Sequence, residues 1–520
     1  MKAFLMFKDR DFDPQQILAQ RGSRVHSGDT KEKISLQQML PWNEKALTQD
    51  LGLDIMINSM SRGDSFLFEA AKVAVLCNVI DIDTILYRQQ ILQDCIKHET
   101  ITRDLYQLTV EAIEKERSDK WWGFFSRSPS SILYQSVSKL TLFAEMLRKL
   151  RNIADQQAEI FESEGFNKLF GMLRRELNEE YLTKIGKHLK QLKLNDGVPM
   201  SAELGKGNKG TNYILHKMPE DDRNWLTRLL SKKQLGYTYQ LHPRDEAGAR
   251  ALAELKDQSI NLVANALAQS TDHILSFFQA LRTELAFYIG CLNLRETLLG
   301  MQEYVCFPIP TACGTKRLSF SGLYDVSLAL SREIKIVSND LNADGKNLIV
   351  ITGANTGGKS TFLRSLGLAQ LMMQSGMFVP AETFAAEVCN GIETHFKREE
   401  DTTMESGKLD EELNRMSKIV DRLTSKSMVL CNESFAATNE REGSEIAKQI
   451  TNALVEKGIK VVYVTHQFEF AHGFYKKRME NAVFLRAERL ENGTRTFRVI
   501  EGEPLQTSYG QDLYDMIFPT

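Results

Sequence analysis

The chain reads as a mainly helical arm that leads into a C-terminal α/β domain built on a mostly parallel sheet. Three observations predict this. Residues 1–300 carry apolar residues at helical spacing with few strand-like runs. Beyond residue 340, short β-branched runs alternate with helical stretches, the pattern of strands joined by crossover helices. A glycine-rich turn follows the first of those runs and opens a helix.

Size and composition set the outer limits. A chain of 520 residues has length for roughly three or four domain-sized units. The 65 basic and 68 acidic residues nearly balance, which excludes a globally basic nucleic-acid binder and leaves room for a local basic face. The seven cysteines are scattered, with no C-x-x-C pair, and read as reduced, mostly buried thiols of a cytoplasmic protein. The first residues, MKAFLMFKDRDFD, turn charged too early for a signal peptide, and no apolar run is long enough for a membrane span.

The elements follow in order. FLFEAAKVAVLCNVI (66–80) is apolar nearly all round, as in a helix buried within the core. The next helix is expected to be capped by Asp83, with Ile85, Leu86, Leu92, Cys95 and Ile96 near one face. SDKWWGFFSRSPSS (118–131) breaks the pattern, and its aromatics would either seal a helix junction or form a contact patch. Helices resume over 131–193. KLNDGVPMSAELGKGNKGTNYILHK (193–217) suits short strands and turns. From 246 to 305 there is no proline, and Ile260, Val263, Leu267, Ile274, Phe278, Leu281, Leu285 and Leu292 form the seam of one long helix. NLIVITG (347–353), SMVLCN (427–432) and KVVYVTH (460–466) read as sheet strands, and VFLRAERLENGTRTFRVIEG as a hairpin turning at Asn492-Gly493.

The glycine-rich turn is GANTGGKST: Gly353, Ala354, Asn355, Thr356, Gly357, Gly358, Lys359, Ser360 and Thr361. It satisfies G-x-x-x-x-G-K-[ST] between a strand and a helix. Glycines let backbone N–H groups turn inward around phosphates, and the helix N-terminus adds partial positive charge. Lys359 is placed for the β- and γ-phosphates of ATP, and the Ser360 hydroxyl for Mg²⁺. Asn432 and Glu433 end a strand expected to lie beside this loop. An acid at 432 would hold a water on Mg²⁺, whereas the amide still accepts a hydrogen bond and brings no charge. Glu433 is the candidate to orient and polarise the attacking water. The alternative for the pair is a site that binds nucleotide without turning it over. His466 ends a third strand, where it could contact the γ-phosphate, although a lone histidine is more often structural. TTMESGKLDEELNRM (402–416) begins a helix capped by Ser406 or Thr403, with Asp410, Glu411 and Glu412 in its first turn.

Together these motifs resemble the MutS family of ABC-type ATPases. TGANTGGKST is similar to that family's TGPNMGGKST, with Asn355 at its characteristic asparagine. VLCNESFAATNEREG resembles the acidic strand end and loop, with Asn for Asp at 432. VTHQFE is similar to the His switch, and EGEPLQTSYGQDL to the closing segment. The resemblance implies a P-loop ATPase domain over 306–520 that uses ATP and Mg²⁺. It implies a helical core (1–130), a helical lever (131–192), a clamp-like tip (193–245) and a long return helix (246–305) before it. It further implies a homodimer with composite sites, in which Ser406 reaches the partner's nucleotide.

Two departures stand out. The expected short form leaves no room for the N-terminal mismatch-recognition domain, and GDSFLFE (63–69) spaces its Phe66 and Glu69 one residue too far apart for the family's wedge. Ile336 stands where the family usually has an aromatic residue near adenine, so Phe497 on the late hairpin is the candidate to stack instead. No nuclease-like tail is expected after the closing segment.

A DNA partner, duplex or branched, rests on one local feature. Residues 184–233 hold eleven Lys/Arg against five Asp/Glu. Lys184, Lys187, Lys190, Lys193, Lys206 and Lys209 are the candidates for sequence-independent phosphate contacts. A solvated surface explains the same charges. A ribosome or structured RNA is the alternative partner, and a scaffold with negligible turnover the alternative role.

Overall fold

The computed structural model describes residues 1–12, 41–118, 128–193, 200–208, 210–216, 246–398, 407–491 and 493–506. The chain divides into two compact units. One holds residues 1–3, 103–161 and 166–282, and the other holds 4–102, 162–165 and 283–520.

Among its described residues the second unit has four helices before residue 98, α1 (Glu44–Leu51), α2 (Leu53–Ser61), α3 (Ser65–Leu76) and α4 (Ile82–Lys97). α3 is capped by Asp64, whose carboxylate accepts from the Phe66 and Leu67 amides, and it stops at Leu76 rather than running on to Ile80. Val79 remains buried in the extended segment beyond, so the apolar pattern outlasts the helix. The cap of α4 is Asp81, not Asp83: its carboxylate accepts from the Thr84 amide, and Asp83 lies in the first turn. Ile85, Leu92 and Cys95 face inward as the spacing predicts, whereas Leu86 is exposed. Residues 4–12 are tied in by Glu284, which is buried and accepts from the backbone N–H groups of Leu5, Met6 and Phe12. Burial pushes its carboxyl up to about 8 despite those three donors.

Among the described residues, the first unit is helical apart from one hairpin. α5 (Glu99–Ser118) enters it, followed by α6 (Pro129–Gln157), α7 (Glu164–Glu176) and α8 (Glu179–Leu192). Strands β1 (Met200–Leu204) and β2 (Gly210–Leu215) pair antiparallel within the stretch read as strands and turns. The long helix α9 (Glu246–Gly300) has 55 residues, of which 246–282 belong to this unit. Ile260 of its seam, with Ala264 beside it, packs with Leu133, Val137, Leu140 and Leu189, and Val263, Leu267 and Ile274 of the seam pack against this cluster. Lys184, Lys187 and Lys190 recur every three residues along α8, and with Lys193 and Lys206 they are exposed. Lys209 lies outside the described residues, as does the WWGFF segment.

The second unit continues as two sheets. β3 (Ile309–Thr311), β4 (Leu318–Leu323), β5 (Asn339–Asn342) and β7 (Thr383–Glu387) form a mixed four-stranded sheet in the order β3-β7-β4-β5, with α10 (Val326–Arg332) between β4 and β5. The larger sheet takes β6 (Leu348–Thr352), which leads into α11 (Lys359–Ser375), then β8 (Ile392–Phe396) and α12 (Lys408–Val420). It is completed by β9 (Met428–Asn432), α13 (Glu440–Glu456), β10 (Lys460–Val464), α14 (Phe468–Lys476), β11 (Ala482–Arg489) and β12 (Arg495–Glu501). Its order is β12-β11-β6-β10-β9-β8, and all pairs are parallel except β11-β12. β6 and β10 are buried along their whole length, as strands covered on both faces must be.

β10 separates β9 from β6, yet β9 ends beside the loop as expected, with Asn432 Oδ1 2.9 Å from Ser360 Oγ. One sequence expectation needs correction here. The N-cap of α12 is Gly407 rather than Ser406 or Thr403, both of which lie outside the described residues. Asp410 and Glu411 occupy the first turn of α12 as expected. All seven cysteines are free; five are buried, and Cys306 and Cys313 are half-buried. Among the described residues, no helix is long and apolar enough to cross a membrane.

Candidate active site

The site forms at the C-terminal ends of β6, β9 and β10, where a parallel sheet leaves its crevice. The loop from Gly353 to Gly358 joins β6 to α11, and its geometry needs its glycines. Gly353 has φ +109°, and a Cβ there would meet the Ala487 amide nitrogen of β11 at 2.9 Å. Gly358 has φ +91°, with the Phe497 carbonyl oxygen of β12 at 3.0 Å from the same position. Thr356 adopts φ +56°, an uncommon conformation for a residue with a side chain. Asn355 and Thr356 are exposed at the loop's tip.

Lys359 opens α11 and is buried. Its Nζ donates to the carbonyl oxygens of Gly353 and Ala354, each at 3.0 Å. Burial pushes its ammonium below the usual lysine range, opposed by the Glu433 carboxylate. The next residue, Ser360, is exposed, and its Oγ donates to Asn432 Oδ1 at 2.9 Å. Thr361 follows on the first turn of α11, half-buried.

Glu433 comes directly after β9 and is held in an unusual conformation, φ +53°. Such a backbone persists only where its surroundings over-determine it. Here the Glu433 amide donates to the Val464 oxygen, Tyr463 Oη donates to the Ser434 oxygen, and Gln467 Nε2 donates to the Phe435 oxygen. Glu433 Oε2 stands 2.5 Å from His466 Nδ1. That hydrogen bond raises the His466 pKa, against the opposing pull of partial burial. The Lys359–Ser360 pair and the Asn432–Glu433 pair, far apart in sequence, are thus brought together, and His466 closes on Glu433. Chemically, the arrangement offers a cation, two neutral oxygens and a carboxylate around one glycine-rich loop.

Phe497 is on β12, half-exposed, beside Gly358. Ile336 is half-buried, and its amide donates to Glu303. Phe66 and Glu69 lie on the core helix α3.

Two features were not legible in the motifs. Arg495 at the start of β12 reaches the loop, where Nη1 donates to Thr356 Oγ1. Its signal is absent from the sequence because β12 is far from the loop along the chain. The second is a buried polar link behind Glu433. Ser434 Oγ bonds His395 Nδ1 at 2.7 Å, and His395 Nε2 faces the Glu412 carbonyl oxygen of α12 at 3.0 Å. Burial pushes the His395 imidazole down to about 4.

A buried neutral histidine has a testable consequence. The unfolded chain takes up its proton near the ordinary value of 6.5 and the folded one only near 4, so stability is full above about 6.5 and falls as pH drops toward 4. The loss is on the order of 3 kcal/mol. Denaturant midpoints of wild type and His395→Phe, compared at pH 7.5 and 4.5, are expected to show a smaller acid loss in the variant. An equal loss in both would contradict this assignment.

Comparison with known proteins bears on the same segments. Residues 80–301 match the MutS2 N-terminal domain and residues 349–519 match MutS domain V. The chain is 37% identical over 180 residues to a "DNA mismatch repair protein MutS" from Thermotoga neapolitana, covering 34% of this chain and 22% of that protein. It is 31% identical over 227 residues to an "Endonuclease MutS2" from Ligilactobacillus salivarius, covering 41% and 28%. It is 25% identical over 252 residues to human "MutS protein homolog 4", covering 47% and 26%. The chain therefore matches only about a quarter of the length of these curated relatives. With one MutS-type model on the helical segment, another on the α/β segment and relatives that carry the same name, the chain belongs to the MutS family.

Proposed function

We propose that this chain is a slow, Mg²⁺-dependent ATPase of MutS type that switches on DNA as a clamp-like homodimer, without reading mismatches directly. The observation that carries this is the convergence of Lys359, Ser360, Asn432, Glu433 and His466 on one loop. The neutral oxygens of Ser360 and Asn432 suit a Mg²⁺ held directly by the hydroxyl and through water by the amide. Bound Mg²⁺ supplies charge neutralisation on the phosphates. The loop amides from Gly353 to Thr361 and the Lys359 ammonium hold the β- and γ-phosphates. Glu433 orients the attacking water and accepts its proton, and His466 fixes the Glu433 carboxylate while facing the γ-phosphate. Asn355 steadies the loop's exposed tip, and Phe497 stacks on the base. Ser406 completes the partner's site. The domain roles implied by the resemblance, core, lever, clamp tip and return helix, belong to this same reading.

The amide at 432 favours a second reading in which nucleotide is bound and not turned over. Asn432→Asp separates the two. A restored charge is expected to lower the Mg²⁺ concentration for half-maximal turnover by about tenfold. Turnover that is silent in both proteins at every Mg²⁺ concentration supports the scaffold.

For DNA, the exposed lysines of the first unit make the contacts. Retention of a duplex or a four-way junction is expected to fall steeply with salt. Replacing Lys184, Lys187, Lys190 and Lys193 together by Gln is expected to reduce the slope of log affinity against log salt by about 3–4. An unchanged slope would remove DNA from that face, and a preference for ribosomes or folded RNA over DNA would reassign the partner.

A further inference from the structure

Arg495 is a cation at the loop that the motif does not account for. It opens β12, the antiparallel edge strand, and donates from Nη1 to the Thr356 hydroxyl. Its Nε and Nη2 are shut off from solvent and have no acceptor among the described residues. A guanidinium is always charged and presents its donors as a planar fork shaped for carboxylate and phosphate oxygens. Donors buried without acceptors are costly, and an anion at the loop would relieve that cost. Arg495 and Lys359 thus bring two cations to one loop whose amides already favour negative charge.

A second observation points the same way. Asn432, which accepts the Ser360 hydroxyl proton, contributes no negative charge at the position where a metal would sit. The site thus carries a cation beside the loop and, relative to the family pattern, lacks an anion beside the metal position. Both features move charge compensation from the metal to the protein. Arg495 and Lys359 meet the loop at different residues, one reaching Thr356 and the other the carbonyl oxygens of Gly353 and Ala354.

We propose that Arg495 is a polyphosphate ligand of this site and that, with Lys359, it holds a nucleoside triphosphate without help from Mg²⁺. Metal is then required for turnover and not for binding. This rests on the loop being a nucleotide site, and it adds a residue and a metal requirement that the motif alone does not give.

The test is ATP affinity of the full chain, measured by calorimetry in EDTA and in Mg²⁺. Wild type is expected to bind ATP in EDTA within about threefold of its affinity in Mg²⁺, and Arg495→Gln to bind metal-free ATP about tenfold more weakly. Arg495→Lys, which keeps the charge and loses the fork, is expected to recover part of that loss, which a misfolded variant would not do. Metal-free ATP bound equally by wild type and Arg495→Gln overturns the proposal while the nucleotide site stands. Binding by wild type only when Mg²⁺ is present overturns it as well. If wild type binds no ATP in either buffer and matches Lys359→Ala, the nucleotide reading falls and the proposal falls with it.

Discussion

Glu433→Gln is expected to lower ATP turnover by about a hundredfold or more while leaving ATP affinity within a few-fold of wild type. Glutamine keeps the size of the side chain and can still accept a hydrogen bond from His466 Nδ1, so the loop after β9 should hold its shape. It cannot take a proton from water. The backbone supports of Glu433, at Val464, Ser434 and Phe435, do not involve its carboxylate and remain in the variant. The same substitution predicts a shift at His466, whose pKa is raised by its hydrogen bond to that carboxylate. NMR titration should find the imidazole pKa lower in Glu433→Gln than in wild type. The sign carries a stability consequence. A histidine raised in the folded state contributes stability that is present below its unfolded pKa and is lost as pH rises through the folded one. If turnover is unchanged in Glu433→Gln, the carboxylate is not the group that handles the water.

Lys359→Ala is expected to weaken ATP binding by about a hundredfold or more, because it removes the one buried ammonium at the loop. The lysine already bridges two loop carbonyls, so the charge is held close to where phosphates would lie. Thermal unfolding of the variant should stay near that of wild type, since those carbonyl oxygens can turn to water in its absence. Equal ATP affinity in wild type and Lys359→Ala would place the nucleotide elsewhere or nowhere.

How much of this was legible in the sequence depends on the range of the interactions involved. β6, β9 and β10 announced themselves because strands buried on both faces need unbroken apolar runs, and the polar residues that end those runs mark the crevice. The loop was legible because its glycines are required locally, at Gly353 and Gly358. Strand order was not, since the insertion of β10 between β6 and β9 follows from how crossover helices pack rather than from any one segment. Neighbouring acids also compete for one cap, and Asp81 rather than Asp83 won because the chain is extended there. Cys77 and Val79 after Leu76 stay buried without staying helical, so periodicity overran the true end of α3. Arg495 and the His395–Ser434 link come from strands and loops far apart in the chain, and no local pattern marks them.

The central claim is that this site hydrolyses ATP despite the amide at 432. The most direct measurement is steady-state ATP turnover by the wild-type chain across a Mg²⁺ series, with Glu433→Gln alongside and with DNA or ribosomes added in parallel. Slow turnover that rises with Mg²⁺ and disappears in Glu433→Gln is the predicted result. Wild type as silent as the variant at every Mg²⁺ concentration and with every partner would contradict it.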